Sequence, residues 1–161
     1  MLFGSTAAFR KATDITPDIL KRLDIRGLIL DLDNTLTTHD NPVPAEGVMD
    51  WLSLMKKNNI RLMIVSNNHP PRVKPFADML GLEFVCEGAK PLTKGFAEAL
   101  RRMKLPKKHI AAVGDQIFTD VLGANLFGIK MLYVVPIEHE KTAFFKLKRF
   151  LEKPFIPKKY F

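Results

Sequence analysis

Leu28-Ile29-Leu30-Asp31-Leu32-Asp33-Asn34-Thr35-Leu36 is the stretch from which the rest of the chain is read. An apolar run with no alternation leads straight into two carboxylates spaced i, i+2. Such a run reads as a strand buried on both faces, as in a parallel sheet. The period of two puts Asp31 and Asp33 on the same side of the chain where the strand ends. In open α/β sheets, chemistry sits in the crevice beyond the carboxyl ends of the strands. Two acids leaving a dry strand there need something to hold them, and a divalent cation is the simplest candidate. The plainer reading is a strand followed by an acidic turn, since Asp, Asn and Thr all favour turns. The flanking sequence decides between the two.

Working outward, strands and helices alternate. Residues 1–16 are weakly patterned and read as an arm. Thr16-Pro17 starts a helix that runs to about Leu23, with Thr16 as N-cap and Pro17 in the first turn. The first strand covers 26–32. Pro42 and Pro44 mark a loop. Val48, Met49, Trp51, Leu52, Leu54 and Met55 give a helical pattern over 46–57. A strand over 60–65 stops at Ser66-Asn67-Asn68, and Pro70-Pro71 open a helix that Gly81 closes. A short strand covers 82–86. Lys90-Pro91 precedes a helix over about 93–103, and a strand over 110–113 ends at Gly114-Asp115. A helix over about 119–127 stops at Gly128, and a fifth strand covers 130–135. The expected fold is a doubly wound, Rossmann-like α/β domain with a five-stranded parallel sheet. The whole chain, 1–161, reads as a single domain.

Length and composition agree. The 161 residues, 47% hydrophobic and 26% charged, describe a globular chain with a real core. No apolar run approaches the ~20 residues a membrane span requires, and the N-terminus is a poor signal peptide. Cys86 is the only cysteine, which excludes an internal disulfide and a cysteine-based zinc site. A cytoplasmic location is expected. The net charge of +8 favours anionic partners. Residues 138–161 hold seven Lys/Arg against three Glu, so +4 of that excess sits in this basic, amphipathic segment.

The polar landmarks fall at strand ends and converge on one crevice. Asp31 and Asp115 suit Mg2+, a hard ion that takes carboxylates, waters and a substrate phosphate. Lys90 and Ser66 supply a fixed positive charge and a hydroxyl for a phosphoryl group, whose transfer depends on positioning and charge neutralisation. No cysteine or histidine is placed to act as nucleophile. Asp31 is, because a carboxylate can form an acyl phosphate. The four histidines show no metal-ligand spacing, and most of them read as surface residues. Glu138-His139-Glu140 reads as a solvated loop.

Asp31-Leu32-Asp33-Asn34-Thr35, Ser66-Asn67, Lys90-Pro91 and Gly114-Asp115-Gln116 through Asp120 resemble the four motifs of the haloacid dehalogenase (HAD) superfamily, in order and spacing, over roughly residues 25–136. The resemblance implies Asp31 as nucleophile and Asp33 as general acid and then general base. It implies that Ser66, Asn67, Lys90 and Thr35 bind or support the phosphoryl group. It implies Mg2+ held by Asp31, Asp115 and the backbone carbonyl of Asp33, with Asp120 in or beside the shell. An acid at Asp33 favours phosphatase over dehalogenase. The stretches Asp31 to Leu36, Val65-Ser66-Asn67-Asn68 and Gly114 to Asn125, with the length and the Asp14-Ile15-Thr16-Pro17 arm, are similar to the YqeG branch of HAD subclass IIIA, itself similar to phosphatases that act on phosphatidylglycerophosphate.

Only about 13 residues separate Leu36 from the next helix core and about 22 separate Asn67 from Lys90, too few for a large cap domain. The site should therefore be open, suiting a bulky substrate, or a small one covered by a neighbouring subunit or by the chain's own tail. The leading expectation is a Mg2+-dependent phosphatase of phosphatidylglycerophosphate. Soluble sugar phosphates, a nucleic-acid end and a non-catalytic anion-binding role are the alternatives. A nucleic-acid partner is disfavoured and an oligomer is left open. In the tail, Phe144, Leu147 and Leu151 share one stripe flanked by lysines. That stripe reads either as an interfacial segment at the inner face of an anionic membrane or as an ordinary last helix docked on the sheet.

Overall fold

In the computed structural model, which describes all 161 residues, the chain runs through β1 (Ala7–Phe9), α1 (Pro17–Arg22), β2 (Gly27–Leu30), α2 (Val48–Lys57), β3 (Arg61–Val65), α3 (Pro70–Leu80), β4 (Glu83–Val85), α4 (Lys94–Met103), β5 (Ile110–Gly114), α5 (Leu122–Phe127), β6 (Lys130–Val134) and α6 (Ala143–Glu152). All strand pairings are parallel, in the order β1-β6-β5-β2-β3-β4. The sheet has six strands rather than five. The extra one lies in the expected arm, where Ala7, Ala8 and Phe9 pair with Leu132, Tyr133 and Val134. Three residues of weak pattern carry no period. Their strand exists because β6 offers an open edge and because Phe9 is fully buried.

The central strands are dry, as their sequence requires: every residue of β2 and of β5 is buried. Alternate residues feed two layers. Leu28, Leu30, Ile64, Val113 and Leu132 pack on Trp51, Leu52, Met55, Val73 and Phe76 on one face. Ile29, Met63, Val65, Ala112 and Met131 pack on Phe96, Ala99, Met103 and Val121 on the other. The helices start and stop where local chemistry dictates. The Thr16 hydroxyl accepts from Ile19 N at 3.3 Å. Gly81 and Gly128 close α3 and α5 with φ of +66° and +84°, a conformation that costs a side chain dearly. The arm is anchored by Trp51, whose indole N–H donates to Ile15 O at 2.8 Å. At the other terminus, Phe161 N donates to Ala8 O at 2.9 Å and its ring stacks on Phe9.

The chain steps from β2 to β3 and β4 on one side, then crosses back to β5 on the other. The crevice at this reversal lies between the ends of β2 and β5. Asp31 N donates to Val113 O at 2.9 Å, which fixes the start of the first acidic loop against β5.

Candidate active site

Asp31 follows β2 directly. Its Oδ1 accepts from Lys90 Nζ at 2.7 Å and its Oδ2 from the Thr35 hydroxyl at 3.2 Å. The loop then turns tightly. Asn34 takes a left-handed φ of +62°, which Asn tolerates, and Leu36 N donates to Leu32 O at 3.0 Å. This turn brings the Thr35 hydroxyl to 3.1 Å from Asp115 Oδ1 as well. Thr35 is buried between the two carboxylates, so it orients them rather than reaching into open space.

Asp33 lies on the same loop, two residues on. Its Oδ1 accepts from Arg72 Nη2 at 2.9 Å and its Oδ2 from Asn68 Nδ2 at 2.8 Å. Ser66 directly follows β3 and is buried. Its Oγ accepts from Asn68 N at 3.0 Å, which leaves its own proton to donate. Asn67 lines the cavity and also holds Lys90. Its Oδ1 accepts from Lys90 N at 2.7 Å and its Nδ2 donates to Lys90 O at 2.9 Å, so the side chain clamps the lysine backbone.

Lys90 is buried, with its ammonium between Asp31 and Asp120 Oδ1, the latter at 2.6 Å. Asp115 follows Gly114 and is fully buried. A Cβ on Gly114 would stand 2.4 Å from Asp120 Cγ, so the glycine is what lets Asp120 fold back against the strand end. A π-helical turn over Ile117–Val121 carries Asp120 there, and its Oδ2 accepts from Gln116 N at 3.1 Å. The structure thus brings all eight expected residues to one crevice. Asp31, Asp33, Ser66, Asn67 and Lys90 line a cavity of about 390 Å³, while Thr35, Asp115 and Asp120 lie behind it.

Burial, then the neighbouring Asp120 charge, push the Asp31 carboxyl well above the usual carboxylate range, with Lys90 pulling against them. Burial pushes Asp115 up to about 6, opposed by the Arg149 guanidinium and reinforced by Asp120. Burial works against the Lys90 ammonium too, yet Asp120 and Asp31 outweigh it and raise its pKa. The crevice therefore has more negative charge than its cations relieve. One oxygen from each of Asp31, Asp115 and Asp120 lies within 4.8 Å of the others. An all-oxygen carboxylate set with unrelieved charge fits a hard divalent cation.

The last helix contributes what the sequence reading missed. Phe145 and Lys148 of α6 line the cavity, and Lys148 Nζ hydrogen-bonds Gln116 Oε1. Arg149 donates to the Asp115 carboxylate, to Asp115 O at 2.8 Å and to Glu140 Oε1 at 2.8 Å. Glu140, expected in a solvated loop, is buried and also meets His39 Nε2 at 3.0 Å. His39 is no ordinary surface residue either, since it lines the cavity. The site is thus partly covered by the chain's own tail. Arg72 and Arg149 carry no motif spacing, and Asn68 lies in the second motif, where the resemblance implies no role for it. The only trace of Arg149 in the sequence is a helical repeat whose polar side turns inward.

A family model described as haloacid dehalogenase-like hydrolase matches residues 38–128. The chain belongs to the haloacid dehalogenase-like hydrolase family. It is 40% identical over 139 residues to the "Probable phosphatase YqeG" of Bacillus subtilis, covering 86% of this chain and 81% of that one. It is 30% identical over 117 residues to the mitochondrial phosphatidylglycerophosphatase GEP4 of Saccharomyces cerevisiae, covering 65% of this chain and 63% of that one. An uncharacterized protein from Listeria monocytogenes shares the fold with a TM-score of 0.60 at 20% identity, over 73% of this chain and 85% of that one. A haloacid dehalogenase-like hydrolase from Brucella suis does so with 0.57 at 12% identity, over 80% and 99%. The haloacid dehalogenase and YqeG resemblance read from the motifs therefore holds. The family-model match begins after the Asp31–Asp33 loop, whereas the 139-residue match to the Bacillus subtilis protein is long enough to span it.

Proposed function

We propose that the chain is a Mg2+-dependent phosphatase that hydrolyses a lipid headgroup phosphomonoester, phosphatidylglycerophosphate, through an aspartyl phosphate. The observation that carries the chemistry is the Asp31 carboxylate, backed on one oxygen by Lys90 and on the other by Thr35, at a cavity that Asp33 also faces. Such bracing limits rotation and aims the carboxylate, which is worth much in a reaction governed by alignment.

Asp31 attacks phosphorus, and the bond to the leaving oxygen breaks. Lys90 and the Ser66 hydroxyl meet the charge on the transferring phosphoryl oxygens. Asp33 gives a proton to the departing alkoxide, then takes one from the water that cleaves the aspartyl phosphate. Arg72 and Asn68 hold Asp33 on this path. Asn67 serves by fixing Lys90, and Thr35 by orienting Asp31 and Asp115. Asp31, Asp115 and Asp120, with the Asp33 carbonyl, would hold the ion, which when bound neutralises charge on the phosphoryl group. The whole chain acts as one unit in this reading, since both the early loop and the last helix border the cavity.

The lipid assignment is supported by the name of the yeast relative and by the exposed apolar face of α6, the helix whose other side borders the cavity. A phosphate-release panel tests it, with phosphatidylglycerophosphate in mixed micelles, sugar phosphates and a 3′-phosphorylated oligonucleotide. The expected result is release from the lipid above all others, lost with EDTA, restored by Mg2+ and absent in Asp31→Asn. A preference for a sugar phosphate or for the oligonucleotide overturns the lipid assignment. No release from any ester overturns the enzyme.

A further inference from the structure

The last helix is built the wrong way round for a core. Its inward face, at spacing i, i+3, i+4, i+7, is Phe145, Lys148, Arg149 and Glu152. Its outward face is Phe144, Leu147, Phe150 and Leu151, which are 72%, 58%, 62% and 52% exposed. Ordinary surface helices turn their apolar stripe inward. Here the inward neighbours are carboxylates and a backbone carbonyl, so the polar face wins that side. Arg149 meets Asp115, Glu140 and Glu152 there, and Glu152 Oε1 accepts from Phe118 N at 2.9 Å. The apolar side is left without a partner.

Charge is sorted in the same way. Glu140 and Glu152 are 6% and 1% exposed and both are paired with Arg149, so neither faces the solvent beside the stripe. Lys141, Lys146 and Lys153 are exposed on or next to the helix, and Lys158 and Lys159 are exposed in the segment that follows it. Glu138 is the one acid beside them, 3.9 Å from Lys141. Further apolar groups are exposed beyond the helix. Phe155 packs at 4.6 Å between centroids on Phe3, which brings the exposed Met1 and Leu2 alongside.

We infer that the outward face of α6, with the aromatics and lysines around it, is a docking surface for an anionic phospholipid bilayer. Exposed rings and leucines ringed by lysines match a headgroup boundary, where apolar groups enter and ammonium groups meet lipid phosphates. A second copy of the chain fits less well, because two such faces would bring ten lysines together. Phe145 and Lys148 border the cavity from the opposite side of the same helix. Docking therefore sets the cavity mouth one helix width from the lipid surface. That last placement rests on the lipid-phosphate reading, whereas adhesion itself does not.

The test is co-sedimentation of the full chain with vesicles of phosphatidylglycerol and phosphatidylcholine, and with phosphatidylcholine alone. The expected partition is at least tenfold higher on the anionic vesicles, and it falls as salt rises. Phe144→Gln with Leu147→Gln keeps helix-forming residues at exposed positions. It should cut partition tenfold or more while turnover of p-nitrophenyl phosphate in solution is unchanged. Failure to bind anionic vesicles at every salt concentration overturns the inference, as does equal partition of wild type and the double variant. So does a dimer that the double variant converts to monomer with no vesicle binding. Vesicle binding without hydrolysis of any lipid phosphate leaves docking standing and overturns the substrate assignment. Hydrolysis of micellar lipid without vesicle binding does the reverse.

Discussion

Arg149, in the last helix, donates through its guanidinium to both the carboxylate and the main-chain carbonyl of Asp115 at the end of β5. A cation drawn to Asp115 must share that carboxylate with the guanidinium. Replacing Arg149 by Met should therefore tighten Mg2+ binding about tenfold by calorimetry, a change of ~1.4 kcal/mol. Amide exchange over 143–152 should quicken in the same variant. Weaker Mg2+ binding would mean that Arg149 supports the ion rather than competes with it.

The pH dependence of stability follows from Asp115. Its folded pKa, raised to about 6 by burial, stands above the unfolded value of 3.8. A group shifted this way stabilises the fold fully below the unfolded value and loses that contribution as pH rises through the folded one. Asp31 is shifted in the same direction. In EDTA, the Tm should fall between about pH 4 and pH 6, and Mg2+ should recover it above that window. Asp115→Asn should flatten the slope. A Tm that rises steadily across the window would contradict the crowding of charge described above.

Asp33 can be tested by leaving group. An alkyl phosphate needs a proton on its departing oxygen, whereas p-nitrophenolate leaves without one. Arg72→Met frees one side of Asp33 and should lower kcat on an alkyl phosphate by about 10- to 100-fold, part of what a positioned acid contributes. Asp33→Asn with p-nitrophenyl phosphate should give a burst of nitrophenol followed by slow turnover, because the water that cleaves the aspartyl phosphate then lacks its base. Equal losses on both esters and no burst would remove Asp33 from both steps.

Lys90→Met removes the ammonium shared by Asp31 and Asp120. Breaking a buried pair from one side typically costs about 3–5 kcal/mol, and denaturant melts in EDTA should show a loss of that order. Turnover should vanish. Mg2+ should restore part of the lost stability but none of the activity. Full retention of stability in EDTA would show that Lys90 relieves less charge than its distances suggest.

Phe9→Ala tests the sixth strand. The ring is fully buried, and such truncations cost about 3–5 kcal/mol. A loss under about 1 kcal/mol would mean that β1 adds little to the domain.

The central half of the molecule was open to reading because its signals are local. Leu28 to Leu30 is an unbroken apolar run that reads as a buried strand, and Asp31, Ser66, Lys90 and Asp115 each sit just after a strand or in its following loop. What stayed hidden depends on tertiary context. Ala7 to Phe9 is a strand only because β6 has an open side. Arg72 reaches Asp33 from the first turn of α3, a relation that no spacing in the sequence encodes. The repeat in α6 was visible, but which face turned inward was set by Asp115 and Glu140. Asn67 has the right type for a phosphate contact, but its clamp on the Lys90 backbone is a relation that only the fold reveals.

The bond from Phe161 N to Ala8 O has a bearing on how the chain behaves when shortened. β1 is the outermost strand, and its far side is a row of backbone groups with no neighbouring strand. An open row of this kind templates the addition of foreign strands. The final residue occupies one of these groups and lays its ring over Phe9. Trimming the last few residues thus exposes an adhesive border, and a truncated chain should clump at concentrations where the full chain stays dispersed.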